Sequence, residues 1–160
     1  MKGQSNSFVQ LALKNIATIG FVGYAPIAPG TFGSLAGLLL YLIIRNTSWA
    51  IYLSITLLLF IIGISAAEDA EEIFKQKDSR HIVIDELVGF LVAAFLIPDK
   101  ALYIAAAFIV FRLFDIIKPF PARWIDERIE GGLGVMGDDI IAGIYANLLL
   151  QIWRFTAGAG

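Results

Sequence analysis

Trp49-Ala-Ile-Tyr-Leu-Ser-Ile-Thr-Leu-Leu-Leu-Phe-Ile-Ile-Gly-Ile-Ser-Ala-Ala67 is a run of nineteen residues without a charge. As a helix at ~1.5 Å per residue it reaches about 28 Å, close to the ~30 Å hydrocarbon core of a bilayer. The tryptophan at its entry suits a membrane interface. Beyond Ala67 the strong helix formers of Glu68–Lys77 continue the pattern, with Glu71 four residues before Lys75. One helix therefore leaves the apolar phase and carries a solvated acidic extension. Composition agrees: of 160 residues, 58% are hydrophobic and 16% are charged, against about 25% charged in a soluble domain. Mean hydropathy is +0.77. The length allows one domain, residues 1–160, with no room for an anchor plus a separate soluble catalytic unit.

Outward from that helix, the other segments are less regular. Residues 7–19 place Phe8, Leu11, Ala12, Ile16 and Ile19 at helical spacing, which predicts a surface helix with Lys14 on its wet side. Lys14 also interrupts any signal-peptide core. Gly20–Ser34 holds four glycines and two prolines, so no regular spanning helix is expected there; Thr31 or Ser34 is placed to cap the helix that follows. Leu35–Ile44 is a first hydrophobic helix, and Asn46–Ser48 a tight turn. Leu87–Pro98 and Ala101–Phe111 are short apolar runs that need their polar ends, Asp85-Glu86 and Arg112 with Asp115, to cross. Ile140–Trp153 is preceded by Asp138-Asp139 and ends at Arg154. The expected fold is all-α: a small polytopic helical membrane bundle with broken and re-entrant segments and charged connections on the cytoplasmic side.

Nine basic residues fall on one side of this arrangement, and Arg45, Lys100 and Arg154 on the other. By the positive-inside rule the nine face the cytoplasm. Five hydrophobic segments then put the N-terminus inside and the C-terminus outside. Twenty of the 26 charged residues lie in 68–86 and 112–139, both on the cytoplasmic side.

Composition also excludes chemistry. There is no cysteine, hence no disulfide, thiolate metal site or cysteine nucleophile. One histidine, His81, removes paired-histidine reactions and reads as structural or interfacial. A net charge of −2 argues against nucleic-acid binding. What remains are carboxylates, cations and hydroxyls, and ionisable groups at membrane depth are functional suspects.

Asp85 and Glu86 are adjacent, about 100° apart on a helix, so one is expected to face a site while the other pairs or meets water. Arg112, Asp115 and Lys118 repeat at three-residue spacing before Pro119 and Pro121 stop the helix. A carboxylate between two cations suits a metal–phosphate site, and equally an intrahelical salt bridge. Gly131-Gly-Leu-Gly-Val-Met-Gly-Asp-Asp139 reads as a glycine-rich loop entering a helix at paired aspartates, which either bind a divalent cation or cap the helix. Asp139, Gly143, Asn147 and Gln151 form a polar and small stripe that reads as helix packing. The Gly20–Ser34 segment offers backbone amides to an anion.

Four stretches, Ala25-Pro-Ile-Ala-Pro-Gly-Thr-Phe-Gly-Ser-Leu35, Ile82-Val-Ile-Asp-Glu86 with Gly89, Phe111-Arg-Leu-Phe-Asp-Ile-Ile-Lys-Pro-Phe-Pro121 and Gly131-Gly-Leu-Gly-Val-Met-Gly-Asp-Asp-Ile-Ile-Ala-Gly143, resemble the phosphatidylglycerophosphatase A family. The resemblance runs from about residue 14 to 150. It implies a Mg²⁺-dependent, multi-pass phosphatase of the bacterial inner membrane, its active site facing the cytoplasm. Its substrate would be the membrane lipid phosphatidylglycerophosphate, dephosphorylated to phosphatidylglycerol in glycerophospholipid biosynthesis. It also implies Asp85, Glu86, Asp115, Asp138 and Asp139 as metal ligands, with Asp85, Glu86, Asp115 and Asp139 catalytic. Arg112, Lys118, Thr31 and Ser34 would bind phosphate. The sequence departs from the family pattern at Asp78-Ser-Arg-His81, which leaves Asp78 outside the expected site. Water and a carboxylate both stay open as nucleophile, and a homo-oligomer stays open as the assembly. Two other readings are a phosphoalcohol transferase, whose Asp-Gly-x-x-Ala-Arg pattern is missing, and a small ion-transporting or assembly protein, whose charges would sit near the midplane rather than at one end.

Overall fold

The computed structural model describes residues 7–156. Among them there are seven α-helices and no strand: α1 (Ser7–Ala17), α2 (Pro29–Ile44), α3 (Trp49–Phe74), α4 (Ile84–Ala93), α5 (Ala101–Ile117), α6 (Ala122–Arg128) and α7 (Gly132–Thr156). Two of these, α3 and α7, are long and apolar enough to cross a membrane. Large apolar side chains stand exposed around the bundle, among them Ile43, Leu58, Ile109, Leu148 and Phe155. That surface is suited to lipid rather than water.

Each helix end has a local cause. Ser48 caps α3, its side chain accepting from the Ile51 amide, and Lys75 closes it in the left-handed conformation. Helix α2 starts earlier than the sequence suggests. Pro29 takes the first position, where its fixed φ and missing N–H cost nothing, and Ala28 is the N-cap. Thr31 and Ser34 therefore lie inside the helix, and neither caps it.

The glycine-rich run is a second correction. It is no loop: α7 begins at Gly132 and takes in Gly134, Gly137, Asp138 and Asp139. Each glycine costs a helix interior roughly 1 kcal/mol, but close packing outweighs that cost here. A Cβ on Gly132 would run into the Ile64 carbonyl of α3. The aspartates therefore sit in the second turn, and neither caps the helix.

Helix α4 is the centre of the bundle. Eight of its ten residues are buried, and it packs against α2, α3, α5 and α7. Gly89 faces α7 at Asp139 and Gly143. At ~1.5 Å per residue α4 is only about 15 Å long, and the chain leaves it as irregular backbone from Ala94 to Lys100. Buried carbonyls freed by such a break need donors, and three side chains of α7 provide them. Asn147 Nδ2 donates to Ala93 O (3.0 Å) and Phe95 O (2.6 Å). Gln151 Nε2 donates to Leu96 O (3.1 Å), as does Arg154 Nη1 (3.3 Å). Tyr52 of α3 adds its hydroxyl to Leu91 O at 2.7 Å. The polar stripe on α7 is thus helix packing of a specific kind.

The same contacts define two ends. Arg45, after α2, pairs with Asp99 before α5, and Arg154 lies near them through Leu96. We call this the distal end. At the opposite end the starts of α2, α4 and α7 meet the end of α5. Lys14 is not simply solvated: its ammonium lies over the rings of Tyr24 (5.8 Å) and Phe74 (5.7 Å). His81 stacks between those rings, with Nδ1 2.8 Å from Gly23 O.

Candidate active site

Asp85 and Glu86 occupy the first turn of α4, and Asp139 the second turn of α7. One carboxylate oxygen from each lies within 4.8 Å of the others. The 100° separation of Asp85 and Glu86 predicts that only one faces a site, yet both do. The longer glutamate side chain reaches the point that the shorter aspartate meets directly. Asp85 and Asp139 are only 8% and 3% exposed. Asp85 Oδ1, Glu86 Oε2 and Asp139 Oδ2 are buried without a hydrogen-bond partner. Leaving such an atom unpaired costs about 1–3 kcal/mol, more when it is charged. Three at one point is a concentration of unmet acceptors. An all-oxygen donor set without histidine or cysteine suits a hard divalent cation.

Two cations flank the carboxylates. Arg112 Nη1 is 2.5 Å from Asp115 Oδ2, 3.9 Å from Glu86 Oε1 and 3.4 Å from Ser34 Oγ, to which it donates. Ser34 in turn donates to Gly30 O at 3.0 Å. Gly30 leaves room for this approach: a Cβ there would overlap Glu86 Oε1 and sit 3.2 Å from Arg112 Nη1, so the carboxylate would have to move. Lys118 takes the left-handed C-cap of α5, which turns its side chain back to Asp138 (2.6 Å) and Asp126 (3.2 Å). Burial by itself would lower the Lys118 pKa, but the two carboxylates outweigh it and hold the ammonium above its ordinary value.

The structure thus sorts the expected residues. Asp85, Glu86 and Asp139 converge. Asp115 is paired with Arg112, close enough to Asp139 to interact with it. Asp138 is paired with Lys118. Ser34 reaches Arg112, whereas Thr31, in the first turn of α2, makes no side-chain hydrogen bond among the described residues. Asp126 is not singled out by the sequence, and Asp78 is placed by it outside the expected site. Asp126 joins through Lys118, and Asp78 lies within electrostatic reach of Lys118 and Asp126. Asp126 comes eight residues after Lys118, beyond a Pro-Phe-Pro turn that hides their proximity. The departure from the family pattern beside Asp78 is likewise no guide to its place near this cluster.

The phosphatidylglycerophosphatase A family model matches residues 15–154. This chain belongs to that family. A phosphatidylglycerophosphatase A from Haemophilus influenzae is 38% identical over 94% of this chain and 98% of its own. One from Escherichia coli is 34% identical over 85% of this chain and 80% of its own. A Bacteroides thetaiotaomicron protein named "Putative phosphatidylinositol-3-phosphatase" is 37% identical over 85% of this chain and 89% of its own. No solved structure matches the chain. Every site residue named above lies within the matched range.

Proposed function

We propose that the chain, acting as one domain, hydrolyses the terminal phosphomonoester of phosphatidylglycerophosphate to phosphatidylglycerol and phosphate. In this reading it spans the bacterial inner membrane several times, and the carboxylate end faces the cytoplasm, as the nine-to-three division of basic residues favours. The observation that carries the reading is the buried, unpartnered convergence of Asp85, Glu86 and Asp139 beside Arg112, in a chain of this family.

The three convergent carboxylates would hold Mg²⁺, which supplies charge neutralisation and Lewis acidity to the reaction. Arg112 keeps N–H groups beyond those that meet Asp115 and Ser34, and these bind phosphoryl oxygens in a planar fork. Lys118 adds a second positive charge, and the hydroxyls of Ser34 and Thr31 line the α2 side. Water attacks phosphorus, the P–O bond to glycerol breaks, and the released alkoxide takes back from Asp115 the proton that the attacking water gave up. Asp115, placed between Arg112 and Asp139, orients the guanidinium and accepts the proton of the attacking water. Asp138 holds Lys118 in place and completes the acidic set.

Phosphate release from phosphatidylglycerophosphate in detergent, with and without Mg²⁺, tests this reading. Asp85→Asn, Asp115→Asn and Asp139→Asn should each lose most activity while remaining folded. Full activity in all three would remove the site. A parallel assay with phosphatidylinositol 3-phosphate, prompted by the Bacteroides relative's name, tests the headgroup; faster release from it would overturn the proposed substrate.

A further inference from the structure

Between α2 and α5 the bundle leaves an apolar furrow. Helix α2 packs chiefly on α4 and α5 chiefly on α7, and the two touch each other little. Leu35, Leu38 and Leu42 form one wall and Ala105, Phe108 and Ile109 the other, around a volume of about 400 Å³. The furrow's two stripes lead into the site. On α5, Ile104, Phe108 and Arg112 follow at four-residue intervals, so the apolar wall ends in the guanidinium. On α2, Leu42, Leu38, Leu35 and Thr31 repeat at helical spacing, and Ser34, bonded to Arg112, borders the stripe.

We propose that this furrow seats an acyl chain of the lipid substrate, placing its phosphate-bearing headgroup at Arg112. The inference rests on the proposed phosphatase activity and adds how a lipid is held. The site end of the furrow opens on Arg112 and Ser34, whereas the charges at its distal end, Arg45 and Asp99, pair with each other; the anionic headgroup of an amphiphile is therefore met at the site end. Because bilayer lipid is as apolar as the furrow, occupancy gains little from water exclusion. Its effect is to orient the headgroup against the carboxylates.

The test compares two substrates of one headgroup: dioleoyl phosphatidylglycerophosphate and its deacylated, water-soluble glycerol form. The readout is the ratio of their kcat/KM values, measured in detergent for the full chain. Ala105 is exposed in the furrow, so Ala105→Trp fills it without entering the core. The ratio should fall by about threefold to tenfold, with hydrolysis of the deacylated substrate unchanged, which also reports that the variant is folded. Leu42→Trp, at the distal end of the furrow, should impair oleoyl but spare octanoyl substrate. Leu58→Trp on α3, exposed and outside the furrow, should change neither.

An unchanged ratio in Ala105→Trp overturns the proposal, and the furrow then holds bulk lipid. An unchanged ratio with a smaller detergent-solubilised particle also overturns it, in favour of a second copy of the chain. If the wild-type chain hydrolyses neither substrate, the phosphatase reading itself fails and the furrow assignment falls with it.

Discussion

Helix α7 carries polar groups at both ends of the bundle, and the two ends treat them in opposite ways. At the distal end Asn147 and Gln151 each meet backbone carbonyls left free by the break in α4. At the other end, eight residues before Asn147 on the same stripe, Asp139 keeps a buried oxygen with no partner, facing two more such oxygens on α4. Both sets are costly in an apolar bundle. Only the distal set is repaid within the chain. The lesson is that a polar residue in such a helix cannot be assigned to packing or chemistry by periodicity; the state of its hydrogen-bonding capacity decides.

The sharpest way to break this contrast is to remove the unpaid group. Asp139→Asn should lower phosphate release by about 100-fold or more, while its melting temperature in detergent stays level or rises. A large loss of stability with activity retained would mean that Asp139 is structural.

Lys118→Met should come next, with a loss of about tenfold to 100-fold in kcat as Asp138 and Asp126 lose their shared cation. Its stability has a defined pH signature. A lysine whose folded pKa is raised adds stability that is fully present below its ordinary pKa and is lost as pH climbs through the raised value. The gap in melting temperature between wild type and Lys118→Met should therefore persist through neutral pH and close only in strongly alkaline buffer. A gap that closes near neutrality would contradict the pairing.

At the distal end the order reverses. Asn147→Leu strands the Ala93 carbonyl and leaves Phe95 O with only the 3.3 Å bond from Gln151, and should cost about 1–3 kcal/mol of stability, read from denaturation, while the folded fraction keeps its kcat. Smallest of all is Arg45→Met. Its pair with Asp99 is partly exposed, at 31% and 55%, and such bridges contribute about 0–1 kcal/mol. A shift of several degrees in melting temperature there would show that the distal loop depends on charge.

Much of this architecture is legible in the sequence. The apolar run from Trp49, its acidic extension and the gathering of charge into two stretches describe the helical bundle and its polar end. Three features are not legible, each for a tertiary reason. The break after Ala93 interrupts an apolar run that continues to Pro98, and the donors that permit it come from residues 39 to 58 positions away. The glycines of 131–137 read as a loop because local propensity is blind to the Ile64 carbonyl against which Gly132 packs. The meeting of Asp85 with Glu86 defies helical spacing because side-chain length, not only direction, sets where a carboxylate ends. Within the candidate site, Arg112 and Asp115 pair as their spacing suggests, whereas Asp126 becomes visible only once the chain has turned back at Pro119.

The brevity of α4 has an electrostatic consequence of its own. A helix carries about half an elementary charge of each sign at its two ends. With only ten residues, α4 sets its positive end beneath Asp85 and Glu86 and its negative end against the side-chain amides of Asn147 and Gln151. An unbroken helix would carry that negative end on past these donors. The break therefore fixes where the field of the buried element begins and ends: one pole lies under the carboxylates, and the other is matched by donors before it reaches the surface.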